Sequence, residues 1–183
     1  MQTCVMKIEA ITPDRFDEVF SIMEKSFPPD EMRPYGEQKA LLGNEKYKIF
    51  GVFDGNKVIA FAATWQFDDV LFLEHLATDP TLRGQGIGAK MLDFLTSGEK
   101  RTICLEAEPP ESEMARRRIG FYNRNGFYLN EYPYIQPPIS RGRAPVPLMI
   151  MTHGKKIDEC EFEKTRDLLY KEVYKTDKKA WLS

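Results

Sequence analysis

Residues 71–94, LFLEHLATDPTLRGQGIGAKMLDF, contain the pattern on which our prediction of the fold is based. The part up to Thr78 is apolar and predicts a strand, the pair Asp79-Pro80 ends it, and an apolar stripe that begins at Ile87 predicts a helix. The first N–H groups of a helix have no partner within the helix, and the positive end of the helix dipole lies there. The joint between strand and helix therefore predicts a site where the backbone can hold an anion such as a diphosphate.

Three glycines, Gly84, Gly86 and Gly88, lie at this joint, where side chains would keep a phosphate away from the N–H groups. Their spacing fits neither the G-x-G-x-x-G pattern of dinucleotide-binding folds nor the G-x-x-x-x-G-K-[ST] pattern of P-loops. From Arg83 to Gly88 the sequence reads R-x-x-G-x-G. This pattern, after a strand that ends in Asp-Pro, resembles the acetyl-coenzyme A binding motif of the GNAT N-acetyltransferase superfamily. The alternative interpretation is a glycine turn that only packs closely on a sheet.

The composition is typical of a soluble globular protein. The chain has 183 residues, of which 42% are hydrophobic and 30% charged, so we expect one N-acetyltransferase (GNAT-like) domain over residues 1–183. The formal net charge is −2 and the charges are interspersed, so we expect no nucleic-acid partner. No apolar run approaches the roughly 20 residues of a membrane span, and the first residues are not a signal peptide, so we expect a cytoplasmic location and no membrane partner.

The three cysteines, Cys4, Cys104 and Cys160, are widely spaced and form no CxxC pair. Because the chain has only two histidines, a zinc site or a disulfide framework is not indicated, and we expect no metal. Cys104 lies in a predicted strand, where we expect it to be part of the core.

Periodicity predicts the remaining elements. The predicted strands cover residues 5–11, 47–52, 57–65, 71–78, 101–107, 126–135 and 146–152, and the predicted helices cover 13–26, 35–42, 87–96, 108–125 and 160–174. Thr12 is expected to cap the first helix through its hydroxyl. A helix lies between strands 71–78 and 101–107, which predicts that these two are parallel neighbours. With the resemblance, we expect an α/β (α+β) GNAT-like fold: a central mixed, mostly antiparallel sheet of about seven strands, flanked by helices, with a parallel pair around the cofactor site.

The resemblance implies that acetyl-coenzyme A is the co-substrate. In this family the edge of the central strand is separated from the next parallel strand, and the pantetheine arm bonds to the exposed backbone as an added strand would. The N–H of Leu76 is the candidate for polarising the thioester oxygen. The candidate cofactor-binding residues are Leu76, Ala77, Thr78, Arg83, Gly84, Gln85, Gly86, Ile87, Gly88 and Ala89.

Residues 121–127, FYNRNGF, resemble the F-Y-x-x-x-G-F segment that lies by the thioester end of the cofactor in the same family. The resemblance implies that Tyr122 is a general acid, which returns a proton to the leaving thiolate. The chemistry is consistent, because a phenol (pKa about 10) can donate to a sulfur whose thiol has a pKa of about 8.5. Core packing of the aromatic pair is the alternative. Ala115 and Arg118 stand where many members have an Asn and an Ala.

Glu74, in the central strand, is the candidate general base, because some members of the family place a His or Glu there to draw the proton from the amine. Strand alternation predicts that Glu74 shares a face with Leu76 and Thr78 and that His75 lies on the other face. A carboxylate that faces an apolar interior is costly unless it is paired. His75 is the alternative base, and on this prediction the two side chains cannot point at the same ligand.

The connection between the first two helices, residues 27–36, contains three prolines and cannot be a continuous helix. In the family this connection helps to form the acceptor site, and a solvated loop is the alternative. The candidate substrate-binding residues are Phe27, Glu31, Arg33 and Tyr35. The acids in this region predict a cationic acceptor, whereas Arg141 and Arg143 predict a carboxylate or phosphate on it.

The leading hypothesis is therefore direct transfer of an acetyl group from acetyl-coenzyme A to a primary amine, with Glu74 as base and Tyr122 as acid. The acceptor would be a small-molecule or peptidyl amine. Two alternatives remain open, a catalytically silent acetyl-coenzyme A sensor and an O-acyltransferase. The C-terminal strand and helix are candidate surfaces for a homodimer.

Overall fold

A computed structural model describes residues 6–177; Cys4 and the start of the predicted first strand at Val5 lie outside the described residues. A seven-stranded sheet in the order β1-β2-β3-β4-β5-β7-β6 forms its centre. The strands are β1 (Lys7–Ala10), β2 (Tyr47–Asp54), β3 (Lys57–Gln66), β4 (Val70–Thr78), β5 (Thr102–Ala107), β6 (Phe127–Gln136) and β7 (Val146–His153). The helices are α1 (Phe16–Glu24), α2 (Tyr35–Ala40), α3 (Ile87–Thr96), α4 (Glu113–Arg124) and α5 (Glu159–Glu172).

The sheet is mostly antiparallel, and only β4 and β5 pair in parallel. Helix α3 makes the crossover between these two strands, as parallel pairing requires. The predicted fold class and the predicted parallel pair are confirmed. The glycine turn and the N-terminus of α3 follow the end of β4, so this end of the sheet positions the site.

Two apolar clusters cover the two faces of the sheet. One contains residues of α1 and α5, such as Phe16 and Phe162, together with Phe72 and Cys104 of the sheet. The other contains residues of α3 and α4, such as Ile119. Cys104 is fully buried, and burial raises the pKa of its thiol, so the prediction that it belongs to the core is confirmed. Within residues 6–177, no helix has the length and apolar character needed to cross a bilayer.

A β-bulge in β4 changes the side on which its later residues lie. Strand β3 pairs Ala63 with His75 but Thr64 with Leu73, so Glu74 is the extra residue. Before the bulge Leu73 packs in the α3–α4 cluster. After it Leu76 packs there, one residue later than strict alternation would place the next residue of this face. The prediction that Glu74 shares a face with Leu76 and is opposite to His75 is therefore wrong. The two side chains lie on the same face of the sheet.

Two helix starts also differ from the predictions. Residues 13–15 form a 3-10 turn, and Thr12 makes no capping hydrogen bond because its side chain bonds to Asp14 instead. Helix α4 begins only at Glu113, since Pro109 and Pro110 keep the preceding residues out of the helix. The hydroxyl of Ser112 caps it by accepting from the N–H of Ala115 at 3.0 Å.

Replacing Phe72 tests the packing of the sheet against α1 and α5. Phe72 is completely buried, so Phe72→Ala should lower the free energy of unfolding by about 3–5 kcal/mol, the usual cost of such a cavity. Phe94→Ala is the matched control, because Phe94 is 44% exposed and should lose about 1 kcal/mol or less. Urea unfolding of both variants measures the difference, and equal losses would contradict the assignment of Phe72 to the core.

Candidate active site

Strands β4 and β5 separate in the middle of the sheet. Their parallel pairing runs from Val70 opposite Thr102 to Leu73 opposite Leu105 and then ends. Beyond this point β5 continues to pair with β7, as far as Ala107. Residues 74–78 of β4 thus present a backbone edge that β5 does not cover, and such an edge can accept an extended ligand as an added strand.

A cavity of about 1190 Å³ occupies this separation and extends to the glycine turn. Most of the predicted site residues line it: Phe27, Glu31, Glu74, Leu76, Ala77, Thr78, Arg83, Gly84, Gly86, Ile87, Gly88, Ala89 and Tyr122. Gln85, Arg33 and Tyr35 are not among the lining residues. The structure thus brings the central strand, the glycine turn and the FYNRNGF segment to one cavity.

The glycines of the turn serve two different purposes. Gly84 (φ +81°) and Gly86 (φ +75°) adopt a left-handed backbone conformation that other residues rarely adopt, and Gly86 is the N-cap of α3. Gly88 lies inside α3, where a Cβ would come within 3.2 Å of the Phe121 ring. Gly88 therefore allows close packing of α3 on α4, whereas Gly84 and Gly86 turn the chain so that the N-terminus of α3 faces the cavity. Its first-turn N–H groups have no intrahelical partner and are available to an anion.

Glu74 lies in a buried polar cluster with Arg33 and His75. The Arg33 Nη1 donates to Glu74 Oε1 at 2.8 Å, and the guanidinium lies over the Trp65 ring. The His75 Nδ1 lies 3.6 Å from Glu74 Oε2. Because a carbonyl can only accept, the 2.7 Å contact between His75 Nε2 and the Glu31 carbonyl shows that Nε2 carries the proton. Burial lowers the pKa of His75 and keeps the ring neutral.

The Glu74 carboxylate itself has little access to the cavity. The residue is partly exposed, but its side chain is only 2% exposed, so it is the main chain of Glu74 that faces the opening. The His75 side chain is equally buried. Among the described residues, Glu74 Oε2, His75 Nδ1 and Arg33 Nη2 have no hydrogen-bond partner. The cluster is an ion pair under the wall of the cavity.

Glu106 on β5 is a cavity-lining carboxylate that the sequence reasoning missed. One of its oxygens accepts a hydrogen bond from the hydroxyl of Tyr134 on β6. The hydroxyl of Tyr174, which lies beyond α5, is 2.8 Å from that oxygen and 2.7 Å from the other. Burial raises the pKa of Glu106 to about 7, although the two phenols oppose the rise. Its position in the strand next to β4 was a usable signal, but its partners are 28 and 68 residues away and leave no local pattern.

Tyr122 lies on α4 at the wall of the cavity. Its ring packs edge-on against Phe121 and Phe127, with centroids 5.3 and 5.8 Å apart. Burial raises the pKa of Tyr122 to about 12 against a smaller opposing effect of Arg118. The phenol therefore stays protonated at neutral pH and can act as a proton donor.

The connection after α1 contributes only part of what was predicted for it. Phe27 packs against the His75 ring, and Glu31 lines the cavity with its pKa raised by burial. The Tyr35 hydroxyl instead donates to Asp17 at 2.5 Å on the outside of α1. Arg33 turns inward to Glu74. Of the four candidate substrate-binding residues, only Phe27 and Glu31 are placed to touch a molecule in the cavity.

The described residues contain no group of three or more His, Cys, Asp or Glu side chains that could hold a metal ion. Arg141 and Arg143, which predicted an anionic acceptor, do not line the cavity. Cations do line it: Lys25, Arg83, Arg117, Arg118 and Arg124. The cavity thus has acids between β4 and β5 and bases on α4 and near the glycine turn.

Comparison with known proteins agrees with this geometry. Residues 45–129 match the family model described as an acetyltransferase (GNAT) domain. The chain is 32% identical over 107 residues to YjbC of Bacillus subtilis (strain 168), which is assigned as an acetyltransferase. That match covers 57% of this chain and 54% of YjbC, so the chain matches only about half the length of that relative.

Solved structures extend the similarity over nearly the whole chain. A structure assigned to the GNAT acetyltransferases, from Bacteroides thetaiotaomicron, superposes with a TM-score of 0.81 and 36% identity, covering 92% of this chain and 98% of that one. YncA from Salmonella typhimurium, solved with its cofactor acetyl-CoA, has a TM-score of 0.60 and 16% identity, covering 84% of this chain and 96% of that one. At this identity the second comparison shows a shared fold.

Removing one partner of the buried ion pair should be far more harmful than removing both. Arg33→Met leaves the Glu74 carboxylate buried without its cation and should lower the free energy of unfolding by about 3–5 kcal/mol. The double variant Arg33→Met/Glu74→Leu should recover most of this loss, because an apolar pair replaces the charges. Urea unfolding of the single and double variants tests this. Losses that simply add would show that the two side chains do not interact.

Proposed function

Because the chain belongs to the GNAT acetyltransferase family, we propose that it transfers an acetyl group from acetyl-coenzyme A to a primary amine. The observation that carries the proposal is the separation of β4 from β5 beside the glycine turn. A pantetheine arm fits the uncovered edge of β4 as an added strand, while the diphosphate fits the first turn of α3. The fold shared with a structure that holds acetyl-CoA supports this assignment.

In this proposal the backbone holds most of the co-substrate. Residues 76–78 bond to the pantetheine arm, and residues 83, 84 and 86–89 surround the diphosphate, with Arg83 supplying charge. The N–H of Leu76 is the donor for the thioester oxygen, where negative charge develops during attack. These contacts use main-chain groups that β5 leaves uncovered, so they need few side chains.

The reaction follows from the groups at the cavity. The neutral amine attacks the thioester carbonyl, a C–N bond forms, and the carbonyl oxygen becomes an oxyanion. Collapse of this intermediate breaks the C–S bond and releases a thiolate, which takes a proton from the Tyr122 hydroxyl. The amine nitrogen loses a proton to a carboxylate of the cavity wall, and exchange with solvent restores both side chains. The products are the acetylated amine and free coenzyme A.

The charge of the cavity supports a cationic acceptor. Glu31 and Glu106 line the cavity, whereas the arginines that predicted an anionic acceptor do not. Glu108 also lines the cavity, but its charge is paired with Arg118 at 3.0 Å. Acids in a partly desolvated wall attract an ammonium group and disfavour a carboxylate close to the reacting nitrogen. A small-molecule or peptidyl amine with no anion beside the nitrogen meets this requirement.

Titration of coenzyme A into the protein, followed by calorimetry, tests the binding part of the proposal. Gly86→Ala should weaken binding about tenfold, because alanine in the left-handed conformation costs about 1–2 kcal/mol that binding must restore. Gly36→Ala, in α2 with open space around it, is the control and should bind as the parent protein does. Absence of binding by the parent protein would overturn the proposal.

Tyr122→Phe tests the role of the phenol as acid. The variant removes one oxygen, so we expect kcat to fall by about 10²–10⁴-fold while the dissociation constant of coenzyme A changes little. Thiol release with a panel of primary amines measures kcat. An unchanged kcat would exclude Tyr122 as the acid, and binding without thiol release in the parent protein would favour a sensor over an enzyme.

A further inference from the structure

We propose that Glu106 takes the proton that leaves the attacking amine, and that Tyr134 and Tyr174 are positioning residues that hold its carboxylate at the cavity wall. This inference rests on the proposed acetyl transfer and names a residue for one of its steps. It differs from the sequence prediction, in which Glu74 has this role.

Both glutamates are partly exposed and line the cavity, so what separates them is the partners of their carboxylates. Glu106 is partly exposed and lines the cavity on the β5 side of the separation. The Glu74 side chain is 2% exposed, with one oxygen bonded to Arg33 and the other buried. A base must come within hydrogen-bond reach of the proton that it removes, and Glu106 can take that proton without breaking an ion pair.

The contacts of Glu106 also differ in kind from those of Glu74. Neutral phenol hydroxyls from two separate elements bond to Glu106, and Tyr174 reaches both of its oxygens. These bonds fix the direction of the carboxylate without neutralising it. A guanidinium bonds to Glu74 instead, so one of its oxygens is held in an ion pair.

The groups around Glu106 leave it able to gain and lose a proton near neutral pH. Burial raises its pKa to about 7, the phenols lower the pKa, and the charges of Glu74 and Glu31 raise it. The titratable and charged groups that face it are Tyr134 on β6, Tyr174 after α5, Glu74 on β4 with Arg33 behind it, Glu31 in the turn after α1, and Cys104 on its own strand. A base whose pKa lies near the working pH is deprotonated in a large fraction of the molecules and is still basic enough to take the proton from the amine.

The two positioning tyrosines lie outside residues 45–129, the segment that matches the family model, whereas Glu106 lies inside it. The catalytic carboxylate would thus stand on the shared core, while its orientation and its pKa depend on β6 and on the residues after α5. This arrangement assigns a function to the C-terminal part of the chain, beyond packing on the sheet.

Glu106→Gln tests the proposal directly, since glutamine keeps the shape and removes the base. With one amine acceptor, kcat should fall by about 10²–10⁴-fold at pH 7.5, while coenzyme A binds with unchanged affinity. The double variant Arg33→Met/Glu74→Leu removes the Glu74 carboxylate without leaving a buried unpaired charge, and its kcat should fall far less than that of Glu106→Gln. If Arg33→Met/Glu74→Leu loses activity and Glu106→Gln retains it, Glu74 is the base and the inference is overturned.

The pH dependence of kcat tests the positioning role. The base must be ionised, so kcat of the parent protein should rise with pH through about 7. The phenols lower the pKa of Glu106. In the double variant Tyr134→Phe/Tyr174→Phe, the rise of kcat should therefore occur at a pH that is higher by about 1 unit. Tyr170→Phe is the control, because it removes a hydroxyl that bonds to the Ile135 carbonyl rather than to Glu106. If kcat of the double variant rises over the same pH range as kcat of the parent protein, the positioning role is contradicted.

A direct titration separates failure of this inference from failure of the proposed function. Carboxyl ¹³C NMR of the glutamate-labelled protein should show one resonance that titrates near pH 7, disappears in Glu106→Gln and moves to higher pH in the double variant. If thiol is released but this resonance is missing, the inference fails and the acetyl transfer stands. If no acceptor releases thiol, the proposed function fails, and the role of Glu106 as proton acceptor fails with it.

Discussion

The site depends on the bulge at Glu74, after which β4 no longer pairs with β5. A backbone edge inside a sheet is normally paired, because buried N–H and C=O groups without partners cost free energy. Here the pairing ends at Leu73, and the cavity that opens beside residues 74–78 is continuous with the N-terminus of α3. The same local irregularity therefore supplies the hydrogen-bonding edge, the space beside it and the approach to the anion site.

The two carboxylates near this separation are stabilised in opposite ways. Glu74 is buried with a cation and becomes part of the support beneath the sheet. Glu106 faces the cavity with two phenols and has no cation bonded to it within residues 6–177. Desolvation in the first case is offset by a full charge, and in the second only by dipoles. Because the phenol dipoles offset the desolvation of the Glu106 carboxylate only in part, its pKa stays raised to about 7.

Much of the fold could be predicted from the sequence, because its signals are local. The glycine spacing and the Asp79-Pro80 stop each determine the backbone over a few residues, and the structure agrees with both. The bulge could not be predicted, since one extra residue in a strand leaves no trace in the composition. It moves the side chains of all later residues of that strand to the opposite face of the sheet. The error about Glu74 and His75 comes from that single residue. The partners of Arg33 and Glu106 depend on long-range contacts, which no spacing in the sequence records.

The placement of the tyrosines also bears on how such a fold can change its chemistry. The strand edge and the glycine turn depend on backbone geometry, so they tolerate little change without loss of the site. The hydroxyls on Glu106 come from β6 and from the residues after α5, which pack on the core through apolar contacts and can change one atom at a time. Replacing one of these phenols alters the pKa of Glu106 on β5 without changing the strand edge or the glycine turn that would bind the co-substrate. The constant and the adjustable parts of the site therefore lie on different elements, and the protonation of Glu106 is the quantity through which they act on each other.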